Sequence, residues 1–134
     1  MPQYPYYIPE DGVYKPWIPV RLNFKKTGKI TPINITALID SGADTCFCSE
    51  DIAFWLGAKD SKSKEHKEFI TANGGKFMTY KVDLNLLACG KSYNCPFYVS
   101  KDLPRETPII LGQLGFFDRF KIKFDLSNKV IDIS

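Results

Sequence analysis

The stretch that decides the fold is Ala37-Leu38-Ile39-Asp40-Ser41-Gly42-Ala43, in which an apolar segment runs directly into a turn. The odd positions from Ile33 to Ile39 are all apolar, which is the period-two pattern of a half-buried strand. Asp40 has the opposite parity from Ile39, so it lies off the main apolar face. Because Asp, Ser and Gly are ordinary turn residues, the three letters alone indicate only a β-turn at a strand end, where functional side chains tend to lie.

The composition is that of one ordinary globular domain. The chain has 134 residues, 44% of them hydrophobic and 25% charged, which is neither a disordered nor a membrane-protein balance. Its net charge of +3 is too small to indicate nucleic-acid binding, and no apolar run approaches the roughly 20 residues that a membrane span needs. The first residues lack the basic and apolar regions of a secretory signal. We therefore expect a cytoplasmic protein that contacts neither nucleic acid nor membrane.

Period-two alternation recurs along the chain and predicts an all-β fold with one or two short helices. The clearest example starts at Lys76, where Met78 and every second residue as far as Leu86 are apolar or aromatic. Strands are predicted over residues 17–24, 33–39, 68–72, 76–86, 93–99, 108–112, 121–124 and 130–133. A first helix is predicted after Ser49, which can cap it, and a second over residues 113–120. We expect residues 1–16 to form an extended arm and residues 17–134 a single domain.

The four cysteines do not follow the spacing of a structural zinc site. Cys46 and Cys48 are spaced C-x-C, and Cys89 and Cys95 are spaced C-x5-C, whereas zinc ribbons use C-x2-4-C pairs. We interpret all four as free, buried or half-buried thiols, with a metal site or a disulfide as the alternatives, and expect no metal and no cofactor. The single histidine, His66, lies in the charged stretch 59–67, which is interpreted as a solvated loop; without a nucleophile context it indicates a surface residue.

Three landmarks in a fixed order give the Asp40 turn a specific meaning. The segment 37–43 comes first, a Gly-rich turn at Asn73-Gly74-Gly75 follows about thirty residues later, and the apolar run Ile109-Ile110-Leu111 ending in Gly112 lies beyond it. In this order they resemble the retropepsin-like family of aspartic proteases, over about residues 17–133. The resemblance implies a retropepsin-like β-barrel or sandwich, with the strand ending in Gly112 passing beneath the catalytic loop and a β-hairpin flap at residues 73–75.

The resemblance also assigns roles to residues. It implies that Asp40, Ser41 and Gly42 are catalytic, Asp40 through its carboxylate, Ser41 by bracing two such loops against each other, and Gly42 through its amide. The expected substrate-binding residues are Ala43, Asp44, Asn73, Gly74 and Gly75. Asp44 matches an acid that in retroviral proteases binds substrate amides and pairs with an arginine after the second signature glycine. Gln113 stands there in this chain, so Asp44 is left either to bind substrate or to pair with Arg21 or Arg119.

Peptide hydrolysis without a metal or a covalent intermediate needs an activated water molecule and a proton for the leaving amine. Two carboxylates held close together supply both, because like charges a few Å apart share one proton. The chain supplies one Asp in the Asp-Ser-Gly setting, and a bilobal enzyme would need roughly twice this length. The second carboxylate is therefore expected from Asp40 of a partner chain, in a C2 homodimer acting on extended peptide or protein substrates. By analogy with the family, residues 1–16 and 130–134 are candidates for interleaved strands between the subunits.

Two other classes of function stay open at this stage. A retropepsin-fold dimer without turnover would serve as a peptide-binding or scaffolding module, and a small cysteine-based metal domain would make the Asp-Ser-Gly sequence incidental. The intact Asp40-Ser41-Gly42 sequence favours the endopeptidase over the first. The irregular cysteine spacing argues against the second.

Overall fold

The computed structural model describes residues 2–8, 10–58 and 65–134. Eleven strands and one α-helix are formed within these ranges. The strands are β1 (Gln3–Pro5), β2 (Trp17–Phe24), β3 (Lys29–Ile30), β4 (Ile35–Ile39), β5 (Cys46–Ser49), β6 (His66–Ile70), β7 (Lys76–Ala88), β8 (Lys91–Ser100), β9 (Ile109–Leu111), β10 (Ile122–Asp125) and β11 (Val130–Ile133), and the helix is α1 (Glu50–Trp55). The prediction of an all-β fold with little helix is confirmed.

The strands form two sheets, of which the larger closes on itself. Its order is β3-β2-β4-β9-β5-β8-β7-β6, and an additional pairing of β2 with β7 joins its two sides into a barrel. The smaller sheet has the order β1-β11-β10. Most neighbours are antiparallel, but β4 pairs with β9, and β5 with β8, in parallel. The parallel β4–β9 pair supports the start of the Asp40 turn, because Asp40 directly follows β4.

The core is built from the alternating apolar positions of the barrel strands. In the longer barrel strands one face is buried, as in Ile18, Val20 and Leu22 of β2 and Ala37 and Ile39 of β4. In β9, Ile109 and Leu111 are buried and Ile110 is half-buried. The period-two pattern in the sequence therefore predicted the inward face of β2 and β4 correctly.

The β6–β7 hairpin departs from the predicted pattern at its far end. Tyr80 to Leu86 alternate inward as expected, but Met78 is 53% exposed and Thr79 is buried instead. From this point β7 pairs only with β6, through Glu68↔Met78 and Ile70↔Lys76. Met78 lies with Glu68 on the exposed face of the hairpin, whereas Phe69 and Phe77 on the other face pack against Phe47.

Two predicted elements are wrong in detail. Ile33 lies outside β4 and is 71% exposed, because β3 pairs with the end of β2 and the chain bends at Pro32 before β4 begins. The second helix, predicted over residues 113–120, is replaced by consecutive turns. Leu114 is bridged to Thr45, and Gly115 has φ +109°, a backbone conformation that an α-helix cannot contain.

Helix α1 follows the predicted capping signals. The Ser49 side chain accepts a hydrogen bond from Ile52 N at its amino end, and Glu50 and Asp51 occupy the first turn, where acids suit the helix dipole. Its six residues end at Trp55. Within the described ranges, no helix is long and apolar enough to cross a membrane.

The N-terminal arm forms pairings within its own chain. Strand β1 pairs with β11 through Gln3↔Asp132 and Pro5↔Val130, and Tyr7 forms a further bridge with Lys15. The terminal strands thus form a three-stranded sheet within one chain, and their interleaving with a second subunit stays a prediction. Of the charged stretch 59–67, residues 59–64 lie outside the described residues, whereas His66 is an exposed residue of β6.

Candidate active site

The Asp40 loop begins where the parallel strands β4 and β9 end together. Leu38 and Ile39 pair with Ile110 and Leu111, and the register continues one step further, since Asp40 N donates to Leu111 O at 3.0 Å. Ala43 N then donates back to Asp40 O at 3.2 Å and closes the turn. The start of the loop is thus fixed by a strand that lies far away in sequence.

The Asp40 carboxylate is oriented by its own loop. Gly42 N donates to Asp40 Oδ1 at 2.9 Å. A Cβ at position 42 would lie 3.2 Å from the same oxygen, so glycine lets this amide approach the carboxylate with no side chain in between. Asp40 is half-buried, while Ser41 and Gly42 are exposed, which leaves the carboxylate at the surface of the single chain.

Gly112 is the point of closest contact between the second signature and the loop. A Cβ there would lie 2.2 Å from Thr45 O and 2.6 Å from Ala43 O, so only glycine fits. The next two residues hydrogen-bond to the Asp40 loop through their backbone. Gln113 N donates to Ala43 O at 2.8 Å, and Leu114 N donates to Asp44 O at 3.0 Å. The strand ending in Gly112 therefore packs directly against the loop, as the resemblance implied.

Gln113 makes a further contact that the sequence analysis missed. Its side-chain Nε2 donates to Ser41 O at 2.7 Å, so Gln113 holds the loop with its side chain as well as its backbone. The sequence analysis noted Gln113 only as the residue that replaces an arginine. A side-chain amide directly after the second signature glycine was the available signal.

Asp44 is exposed and forms no ion pair among the described residues. The two arginines considered as partners are engaged elsewhere: Arg21 Nε donates to Thr31 O at 2.8 Å, and the Arg119 guanidinium lies over the Tyr93 ring at 4.8 Å. Asp44 therefore pairs with neither Arg21 nor Arg119, which leaves substrate binding as the other alternative for its role. Ala43, beside it, is half-buried.

The Gly-rich turn lies at the tip of the β6–β7 hairpin. Thr71 N donates to Gly75 O at 2.7 Å, and Gly74 adopts φ +85°, which favours glycine. The Asn73 side chain braces the turn from inside, because its Oδ1 accepts from both Thr71 Oγ1 and Gly75 N. All of these residues are exposed.

A cavity of about 470 Å³ lies between this hairpin and β9. Phe77 from the hairpin, Ile110 from β9, and Leu103 and Pro104 from the loop after β8 form its apolar wall. Ile110 immediately precedes Leu111, whose carbonyl holds the Asp40 amide. The cavity thus joins the hairpin to the strand that supports the Asp40 loop. Another cavity, of about 550 Å³ between the arm and β2, has no carboxylate in its lining.

The four cysteines are free thiols, and two of them lie behind the loop. Gly112 N donates to the Cys46 sulfur at 3.5 Å. A hydrogen bond from the Cys95 thiol and this one from Gly112 N lower the pKa of Cys46, although burial alone would raise it. Burial raises the pKa of Cys48 to about 12. No cluster of three or more His, Cys, Asp or Glu side chains able to hold a metal occurs among the residues described.

Comparison with known proteins agrees with this arrangement. Residues 21–114 match the family model described as aspartyl protease. No curated protein matches the chain. Among solved structures, a retropepsin-like aspartic protease from Rickettsia conorii aligns with TM-score 0.63 at 19% identity, covering 100% of this chain and 99% of that one.

Two further solved structures show the same fold. The retroviral protease-like domain of Ddi1 from Leishmania major aligns with TM-score 0.58 at 18% identity and covers 90% of this chain and 88% of its own. The EIAV protease, complexed with the inhibitor HBY-793, aligns with TM-score 0.55 at 20% identity, with 74% and 82% covered. The chain belongs to the aspartyl protease family, and its fold is the retropepsin-like one.

Proposed function

We propose that this protein is a homodimeric aspartic endopeptidase in which the Asp40 carboxylates of two subunits activate one water molecule. The observation that carries the proposal is the Gly42 N to Asp40 Oδ1 hydrogen bond of 2.9 Å. It belongs to an exposed loop whose backbone is supported from β9. This arrangement presents an oriented carboxylate outward, as a shared catalytic pair requires.

The chemistry follows from placing two such carboxylates side by side. Two carboxylates a few Å apart cannot both ionise, so the pair holds one proton, as is general for aspartic proteases. The ionised partner takes a proton from the water as it attacks the scissile carbonyl, and the protonated partner donates a hydrogen bond to that carbonyl oxygen. The proton then passes to the leaving amine. The pair titrates as a unit, so neither Asp40 acts alone.

Two features of the single chain support pairing through this face. The Asp40 loop is exposed, with the Ser41 hydroxyl making no hydrogen bond among the described residues, and in a dimer it can brace the partner loop. Leu114, held to Asp44 by its backbone, is 64% exposed. We propose that this exposed apolar side chain, two residues after Gly112, packs against the partner subunit.

The substrate we propose is an extended peptide that lies between the loop and the β6–β7 hairpin, which acts as a flap. The exposed Gly74 and Gly75 let the hairpin tip approach a peptide backbone closely and exclude water. We propose that Ala43, Asp44 and Asn73 contact that backbone. The cavity lined by Phe77 and Ile110 favours an apolar substrate side chain near the cleaved bond.

The test is cleavage of an unstructured protein between pH 4 and 7 by wild type and by Asp40→Asn. We expect the substitution to abolish cleavage, because an amide cannot act as the base, while the thermal unfolding midpoint stays close to that of wild type. Asp83→Asn is the matched control, since Asp83 is exposed on β7 and lies outside the site, and it should cleave normally.

An Asp40→Asn variant as active as wild type would refute the proposed function. A wild-type dimer that binds peptides but cleaves none would identify a binding module instead. Sedimentation at micromolar concentration, with and without a peptide-like inhibitor, decides whether pairing occurs.

A further inference from the structure

Gln113 contacts the Asp40 loop at two carbonyl groups. Its side-chain Nε2 donates to Ser41 O at 2.7 Å, and its backbone N donates to Ala43 O at 2.8 Å. The residue is exposed, so little packing energy fixes its side chain. The conformation of the Gln113 side chain is therefore set mainly by the hydrogen bond to Ser41.

The Ser41 carbonyl belongs to the same peptide group as the Gly42 amide. That group accepts from Gln113 Nε2 at its oxygen and donates to Asp40 Oδ1 from its nitrogen, at 2.9 Å. Because a peptide group is planar, its C=O and N–H point in opposite directions, and fixing one fixes the other. Linked hydrogen bonds also polarise one another. Gln113 and the carboxylate thus hold opposite ends of a single rigid unit.

We propose that Gln113 is a positioning residue for Asp40. It holds the Ser41–Gly42 peptide so that the Gly42 amide points at the Asp40 carboxylate, and it does so without touching that carboxylate. The expected effect on kcat rests on the proposed function, whereas the expected effect on the Gly42 amide does not.

The role requires a hydrogen-bond donor at the right reach. Leucine at position 113 would match much of the volume and supply no donor. Glutamate would have the same length but would place a carboxylate against the Ser41 carbonyl. Lysine would keep a donor on a flexible chain of similar reach. These three substitutions separate the donor from the size of the side chain.

The experiment measures kcat and KM for Gln113→Leu, Gln113→Glu and Gln113→Lys at enzyme concentrations where activity per subunit is constant. We expect kcat to fall about tenfold for Leu and at least as much for Glu, the effect of losing about one hydrogen bond. KM should change less than about twofold, and Lys should recover activity to within about threefold of wild type. Asn23→Leu is the matched control, because Asn23 Nδ2 also donates to an exposed carbonyl, Lys29 O at 2.9 Å, outside the Asp40 loop.

A second measurement does not depend on activity. In the amide NMR spectrum, Gln113→Leu should shift the Gly42 resonance and speed its hydrogen exchange, while Asn23→Leu leaves it unchanged. The inference is overturned by a Leu variant with wild-type kcat and an unchanged Gly42 amide. A raised KM with an unchanged kcat would also overturn it, since that would indicate a contact with substrate. Activity that recovers at higher enzyme concentration would overturn it as well, since that would indicate a contact at the subunit interface. If wild type cleaves nothing, the proposed function fails and the Gly42 amide still decides the inference.

Discussion

At the scale of single residues, Gly112 is the most constrained position near the candidate site. Two backbone oxygens, Thr45 O and Ala43 O, occupy the space where its Cβ would be, at 2.2 and 2.6 Å. Backbone atoms cannot rotate away as a side chain can. Any side chain at this position must displace the Asp40 loop from β9.

We predict that Gly112→Ala destabilises the protein by about 3 kcal/mol, at the upper end for overpacking, and abolishes cleavage. Gly90→Ala is the control, because Gly90 also requires glycine, at φ +76°, but has nothing within 4 Å of its Cβ position. That variant should lose only about 1 kcal/mol from backbone strain and stay active. Urea unfolding and the cleavage assay check both, and equal effects would show that crowding at Gly112 is unimportant.

The residues of the site were predictable to different degrees. Asp40, Gly42 and Gly112 lie in short motifs whose order along the chain is informative. The contact from Gln113 to Ser41 spans 72 positions and has no periodicity, so the amide after Gly112 is visible in the sequence but its partner is not. Leu114 is likewise of a residue type usually found in the core, and only the structure shows that it is exposed.

At the scale of elements, the sequence patterns predicted most strands but not β1, β3 or β5, and they predicted the connections poorly. The β7–β8 turn is Cys89-Gly90, with φ +53° and +76°, a two-residue hairpin turn of the kind favoured by the twist of the strands. Because cysteine is not a typical turn residue, the sequence does not indicate that Cys89 is the first residue of this turn. The helix predicted over residues 113–120 failed because tertiary pairing of Leu114 with Thr45 overrode a local preference.

The turn of the β10–β11 hairpin supports a pH prediction. Hydrogen bonds from the Asn128 side chain, from Ser127 and from the Asn128 backbone lower the pKa of Asp125. A lowered pKa in the folded state gives stability that is present above the unfolded value, about 3.9, and is lost as pH falls through the folded value. Asp125→Asn should therefore reduce the free energy of unfolding at pH 6, with a difference from wild type that shrinks below about pH 4.

Urea unfolding at several pH values from 2 to 7 measures this dependence. Asn128→Ala removes the largest of the contributing hydrogen bonds and should show the same trend with smaller amplitude. A difference between Asp125→Asn and wild type that stays constant over the whole range would contradict the prediction.

At the scale of the whole molecule, the proposed dimer depends on the face that carries Asp40 and Leu114. We predict that Leu114→Lys weakens pairing and lowers activity at least tenfold at low enzyme concentration, because it places a charge where a partner must pack. The unfolding midpoint should change little, since the side chain is already exposed. Ile33→Lys is the control, because Ile33 is 71% exposed and precedes β4, at the end opposite Asp40.

Sedimentation and activity measured over a range of enzyme concentrations separate the two variants. The predicted defect of Leu114→Lys is relieved as concentration rises, and Ile33→Lys behaves as wild type throughout. If both variants dimerise and cleave like wild type, the partner does not pack against Leu114.

The parallel pairing of β4 with β9 has a consequence for how the protein folds. Contacts distant in sequence form slowly, because a long loop must close before they give any stability. The hairpins of β6, β7 and β8 join neighbouring segments of the chain. The Asp40 loop, in contrast, is supported only after β9 has paired with β4, and the Gln113 contact closes a loop of 72 positions. We therefore expect the candidate site to be among the last parts of the chain to assemble. A molecule folded only through the β7–β8 hairpin would contain Asp40 but not the strand that holds its loop.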